Sequence, residues 1–341
     1  MFSAEILPNL LNWINRAVIF GTVIMYGALG ETLTEKSGNM NLGTPGVMCI
    51  GGAFGFAGAY LYEQACVKAS ADPSAALVIA IGLLCAFLSA ALAGALFCFL
   101  TTTLRANQNV TGLALTIFGS GLAKFFGTYI IPAGTTTVKA MFANGIFQKR
   151  LPFAEKLGVF GTIFFNYGFM MYSAIVVAII LSVYLNRTRA GLNLRAVGEN
   201  PGTADAAGIN VVKNKYLATV IGAGIAGLGG VYYTLDYNNG GWSTGAAAGI
   251  ESLGWLAVAL VIFAAWRPLN LIWGSYLFGV CYWLFNYIAV FGLEVNSAQS
   301  SLLETSPYLA TIFVLILSSV RKSRENQPPA SLGLSYFRED R

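Results

Sequence analysis

GAGIAG, at residues 222–227, has the G-x-G-x-x-G spacing that lets a backbone approach a pyrophosphate. Dinucleotide chemistry also needs a preceding strand and an acidic residue about twenty positions on. Here the glycines lie inside YLATVIGAGIAGLGGVYYTL, an apolar segment. Small residues three or four apart let membrane helices approach closely, so close packing is their expected role. The chain has no G-x-x-x-x-G-K-[ST] phosphate loop, no evident paired carboxylate, no nucleophile–base set and no histidine. Its five cysteines (49, 66, 85, 98 and 281) show no metal spacing and sit mostly in apolar runs, as packing residues do. An enzyme is not expected, and no cofactor is expected on this chain.

A second passage is polar. RTRAGLNLRAVGENPGTADAAGINVVKNK, 187–215, holds five basic and two acidic residues between charge-free runs at 157–186 and 216–235. Within it Asn200 is a good N-cap, Pro201 suits the first helical position, and Gly208 suits a stop. The spacing predicts a short helix over 200–208 presenting Gly202, Ala204, Ala206 and Ala207. Such a helix can enter a groove on a partner with little steric cost, its flanking arginines meeting acidic residues there or lipid phosphates. A solvated basic loop with an incidental helix is the alternative, and the residues alone leave the two open.

The elements that carry these passages follow from composition. The chain is 56% apolar with a mean hydropathy of +0.65, and 10% of its residues are charged, against about 25% in a soluble domain. Charge-free runs at 73–104, 106–123, 157–186, 216–235, 252–266, 268–293 and 305–320 approach or exceed the roughly 20 residues that cross a bilayer as helix. The runs are continuously apolar rather than alternating, which excludes a β-barrel. The fold class is all-α: a polytopic transmembrane bundle of eight to ten membrane segments, some broken or re-entrant. Residues 1–320 form one membrane domain and 321–341 a flexible tail. No cleavable leader is expected, and Asn9, Asn12 and Arg16 share a helical face that is interfacial or turned into the bundle.

Lys and Arg collect in short cytoplasmic loops. Placing 187–215, Arg105, Arg267 and the tail with Arg321, Lys322 and Arg324 on the cytoplasmic side gives spans near 75–104, 108–130, 168–186, 216–236, 249–266, 269–291 and 303–320. Residues 131–167 then form an external segment. The net charge of +5 lies at membrane edges, so lipid is an expected partner and nucleic acid is not.

Other polar groups fall inside or beside spans. SGNMNLGTPGVMCIGGAFGFAGAYLY, 37–62, breaks a membrane segment with glycine and proline and brings Asn39 and Asn41 to the break. Broken backbone is tolerated where it is buried in protein or lines a cavity, so this is a pathway or hinge, or close helix packing. Asn107, Asn109 and Thr111 line a path or cap a helix. Asn286, deep in 269–291, lines a path or bonds another helix. Trp242 is expected at the interface as an anchor.

GLNLRAVGENPGTADAAGIN, with SGNMNLGTPGVM, VTGLALT and AGIESLGWLAVALVIFAAWRP in order, resembles the permeases of bacterial ABC importers for nucleosides, simple sugars and branched-chain amino acids. The likeness spans about 20–320 and is nearest to the nucleoside type. Thr44-Pro45 departs from a glutamate-containing pair common in that family, and Ala264-Ala265 stand where glycine and arginine are frequent. The resemblance implies that the loop docks on a separate ATPase through Arg195, Glu199, Asn200, Pro201, Ala204, Ala206, Ala207 and Gly208. ATP and Mg would be bound by that partner, whose two ATPase domains can be fused. It also implies a second, related permease in a heterodimer, an extracytoplasmic substrate-binding protein or lipoprotein, and residence in the bacterial inner membrane with a cytoplasmic C-terminus.

The expected cargo is a small neutral polar solute, because the spans offer amides, hydroxyls and aromatics but little charge to neutralise an ion. Nucleosides fit best, followed by ribose-like sugars and then branched-chain amino acids. An ion-coupled secondary transporter is the alternative class. It would show intramembrane ionisable groups or matched broken segments in two halves.

Overall fold

The computed structural model describes residues 2–132, 134–152, 154–288, 296–321 and 327–337. Long helices dominate: α1 (Phe2–Glu35), α2 (Thr44–Lys68), α3 (Ala75–Cys98), α4 (Gln108–Ile130), α7 (Phe169–Arg187), α10 (Val211–Tyr232), α11 (Ala246–Phe263), α12 (Pro268–Tyr287) and α14 (Ser306–Arg321). Short helices connect them: α5 (Met141–Phe147), α6 (Gly158–Phe164), α8 (Arg189–Glu199), α9 (Pro201–Ala206) and α13 (Ser297–Glu304). Single π-helical turns extend α3 to Thr103 and α10 to Tyr237. Seven of the described helices are long and apolar enough to cross a membrane, the predicted α3, α4, α7, α10 and α11 among them. With their apolar surfaces they make the chain a multi-pass membrane protein.

Helices α1, α2 and α10 form the centre, and α3, α4 and α7 lie outside them. The outer helices turn apolar side chains outward, among them Leu92 at 72% and Ile117 at 75% exposure, as a lipid-facing surface requires. The centre packs backbone against backbone. A Cβ at Gly30 would strike the carbonyl of Gly222, and one at Gly51 would strike Gly227. The GAGIAG glycines are thus contact points of α10 with α1, α2 and α3, Gly224 meeting Phe87, and the expected packing role holds.

Two ends can be told apart. Arg105, loop 187–215, Arg267 and residues 327–337 gather at one end, the loop end, as the charge pattern requires. At the far end, the segment 131–167 folds into α5, α6 and the strand β1 (Thr137–Lys139), which pairs antiparallel with β2 (Gly241–Ser243). Trp242, expected as an interfacial anchor, is instead 1% exposed. Its indole packs on Gly127 and Phe56, because the β1–β2 pairing folds it inward.

Candidate functional site

The break after α1 positions much of the loop end. α1 ends where Gly38 takes φ +85°, the left-handed conformation that favours glycine at a helix stop. Asn41 then turns the chain: its Oδ1 accepts from the Gly43 N–H at 3.0 Å, and Pro45 starts α2 in its first turn. The turn is enclosed. Asn39 is 0% and Asn41 1% exposed. Asn39 Nδ2 donates to Thr219 Oγ1 of α10 at 3.0 Å, and Thr116 Oγ1 of α4 donates to the Leu42 carbonyl at 2.8 Å. The break is therefore confined to residues 36–43 and buried in protein, while the glycines beyond it belong to one continuous α2.

Sequence reasoning missed a pair of acids at this turn. Glu31 and Glu35 lie one helical turn apart on α1 and are 1% and 5% exposed. Thr44 Oγ1 donates to Glu31, the Asn41 N–H donates to it at 3.3 Å, and Trp266 Nε1 donates to Glu35. The expectation of no paired carboxylate is corrected. The i, i+4 spacing in GETLTEK was the available signal.

Loop 187–215 folds as two helices rather than the single one foreseen. Thr188 caps α8, its Oγ1 accepting from Gly191 N–H at 3.0 Å. Asn200 caps α9, its Oδ1 accepting from Thr203 N–H at 3.0 Å, and Gly208 ends it with φ +82°. Ala204 is buried against Val197 and Val211 and so faces into the chain. Arg195, Glu199, Asn200, Ala206, Ala207 and Gly208 are exposed, and Pro201 is half-buried. These residues present a small-residue edge at the loop end.

Residues 327–337, expected to trail as a free tail, instead strap α8 and α9 to the rest of this end. Ser331 N–H donates to the Gly198 carbonyl at 3.0 Å and Gly333 N–H to the Gly38 carbonyl at 3.2 Å. Tyr336 Oη donates to Asp205 Oδ2 at 2.8 Å. Gln108 links the strap onward, its Nε2 donating to the Leu334 carbonyl at 3.3 Å and its Oε1 accepting from the Met40 N–H at 2.7 Å. Arg105 stacks over the Phe337 ring at 4.7 Å. Gly198 also abuts the Lys36 carbonyl closely enough that a Cβ would collide.

Lys36, Arg195 and Arg267 line a cavity of about 480 Å³ beside this junction. Burial, and then the positive charges of Arg195 and Arg267, push the Lys36 ammonium below its ordinary pKa. Among the described residues, the remaining path candidates form no enclosed cluster. Asn107 is exposed and caps α4, accepting from Val110 N–H at 3.1 Å. Thr111 bonds the Asn107 carbonyl at 2.8 Å, and Asn109 is exposed. Asn286 lies on α12, and its side chain is outside the described residues.

Residues 9–318 match the family described as the permease component of branched-chain amino acid transport systems. The chain is 32% identical to the ABC transporter permease protein TsgC13 of Haloferax volcanii, over 96% of this chain and 97% of that one. It is 32% identical to the nucleoside ABC transporter permease protein NupC of Lactococcus lactis, covering 88% and 90%. It is 28% identical to the guanosine ABC transporter permease protein NupQ of Bacillus subtilis, covering 87% and 89%. No solved structure matches. A polytopic bundle whose exposed short helix is strapped to its central helices, with a match over nearly its whole length, places this chain in the branched-chain amino acid transport permease family, as a permease subunit of an ABC importer.

Proposed function

We propose that the chain is one of two related permease subunits that together enclose an import path for a small neutral polar solute of the nucleoside class. ATP and Mg are bound by a separate ATPase, which docks on the exposed edge of α9. The loop end is then cytoplasmic, the bacterial inner membrane is the site of action, and a substrate-binding protein or lipoprotein meets the far end around 131–167. The second subunit is a related but different chain.

One observation carries this reading. α9 offers its small residues to the outside while its other face is tied, through residues 327–337 and Gly198, to the turn at 36–43 and to Gln108 on α4. A displacement of α9 is therefore transmitted to the ends of α1, α2 and α4 rather than absorbed by a slack loop. Coupling requires that ATP and solute favour different members of a two-state equilibrium, and this junction is an element both can bias.

The nucleoside class is supported by the designations of NupC and NupQ. A simple sugar is the second reading, supported by the glucose designation of TsgC13. The test is uptake of radiolabelled uridine and ribose into vesicles holding the assembled transporter. ATP-dependent uptake that survives collapse of the proton gradient is expected. Uptake that follows the gradient and ignores ATP would overturn the reading.

A further inference from the structure

A cavity of about 470 Å³ opens at the far end between α1, the start of α7, the end of α10 and α12. That volume falls in the range of small-molecule sites, about 300–1,000 Å³. Asn15, Arg16, Arg150, Tyr167, Asp236 and Tyr237 are among its lining residues. Arg16 and its helical neighbour Asn12, which also lines it, belong to the face that the sequence left as interfacial or turned inward.

Three lining residues carry a buried polar atom with no hydrogen-bond partner among the described residues: Asn15 Oδ1, Tyr167 Oη and Asp236 Oδ2. Tyr167 is 2% and Asp236 5% exposed. Folded proteins pair nearly all such atoms, so each one left over calls for an explanation. Gln148 Nε2 donates to the Asp236 backbone carbonyl at 2.7 Å, which fixes the chain there but leaves the carboxylate oxygen unused. The absence of a side chain at Gly168 makes room, since a Cβ there would lie 2.8 Å from Asp236 Oδ2.

The lining selects a class of ligand. Arg16 and Arg150 line the cavity together with Asp236 and Tyr237. Two guanidiniums lining one cavity with a single carboxylate do not suit a bare cation. An anion would face the oxygens of Asp236 and Asn15. A hydroxyl group satisfies both sets, because it donates to a carboxylate or amide oxygen and accepts from a guanidinium. Adjacent hydroxyls on one small ring engage several of these groups together, and the Tyr237 ring offers an apolar face to the carbon side of such a ring.

We propose that this cavity is a binding site within a single subunit for a small neutral solute bearing adjacent hydroxyl groups, such as a pentose, a hexose or the ribose of a nucleoside. Its link to cargo rests on the permease reading above; the binding itself needs neither the ATPase nor a second permease.

The test is calorimetric titration of the purified full chain in lipid nanodiscs with D-ribose, uridine and 2′,3′-dideoxyuridine. Ribose and uridine are expected to bind and dideoxyuridine to bind at least about tenfold more weakly, as loss of hydrogen bonds to charged groups requires. Asp236→Asn and Asn15→Leu should weaken ribose binding to a similar degree. Asn12→Trp, at an exposed rim position, should block it while leaving the buried groups and the melting profile unchanged. No binding of ribose or uridine by natively melting protein, equal binding of uridine and its dideoxy analogue, or unchanged binding in Asp236→Asn and Asn12→Trp would each overturn the proposal. ATP-dependent uptake without such binding removes the site and leaves the permease reading standing; binding without ATP-dependent uptake does the reverse.

Discussion

Tyr336 donates a hydrogen bond to Asp205 at 2.8 Å, so a residue 131 positions further along the chain holds the side of helix α9. Hydrogen bonds to a charged group contribute about 1.5–3 kcal/mol, less where the pair is partly exposed, as this one is. Tyr336→Phe is expected to raise amide hydrogen exchange over 201–208 several-fold and to lower ATP-coupled uptake, with membrane insertion unchanged. Hydrogen exchange by mass spectrometry on the assembled transporter checks it.

The acid pair makes a stability prediction. Thr44 and the Asn41 N–H both donate to Glu31. Thr44→Val removes one donor from a buried acceptor, and leaving a buried polar group unpaired costs about 1–3 kcal/mol. A lower melting temperature in detergent is expected, with Thr44→Ser close to wild type. Equal melting of Thr44→Val and wild type would show that the turn at 36–43 does not depend on this contact.

Close approach of backbones makes another. Gly51 faces Gly227 with no room for a Cβ, and over-packing a filled interior costs about 1–3 kcal/mol. Gly51→Ala should destabilise the bundle measurably, whereas Gly121→Ala, which meets nothing within 4 Å, should not. Thermal melting of the two variants side by side distinguishes a packing role from a neutral one.

These contacts also show what can be read from sequence. The spans of α3, α4, α7, α10 and α11 were legible because charge is nearly excluded from them, and the shared end of Arg105, 187–215 and Arg267 was legible because basic residues mark the turns. The caps at Asn200 and Gly208 were legible because capping is local chemistry. Three features were not. Glu31 and Glu35 sit at the end of a span, where a charge reads as the start of a loop; only the fold brings Thr44 and Trp266 over them. Residues 327–337 have no apolar period, and they pack partly through backbone hydrogen bonds that do not depend on side-chain type and partly through the Tyr336 and Phe337 side chains. Trp242 reads as an interfacial aromatic until β1 pairs with β2 and covers it. Each depends on a partner more than 200 positions away, or on pairing the local sequence does not specify: Trp266 lies 231 positions from Glu35, and Gln108 lies 226 from Leu334.

The orientation of the loop end carries its own prediction. Ala207 is exposed at the end of α9. In a chain whose own cysteines are replaced, Ala207→Cys should react with a membrane-impermeant maleimide only in inside-out vesicles. Reaction in right-side-out vesicles would invert the topology.

In the proposed coupling, α9 receives the ATPase. A photo-crosslinking residue at Ala207, in the assembled transporter, tests it most directly, with the same residue at Ile117 on the apolar outer face of α4 as control. Capture of the ATPase subunit from position 207 and not from 117, abolished by Pro201→Arg with Ala206→Arg, is the expected result. An intact assembly in which position 207 captures only lipid, or in which the double arginine variant still co-purifies with its ATPase, would contradict it.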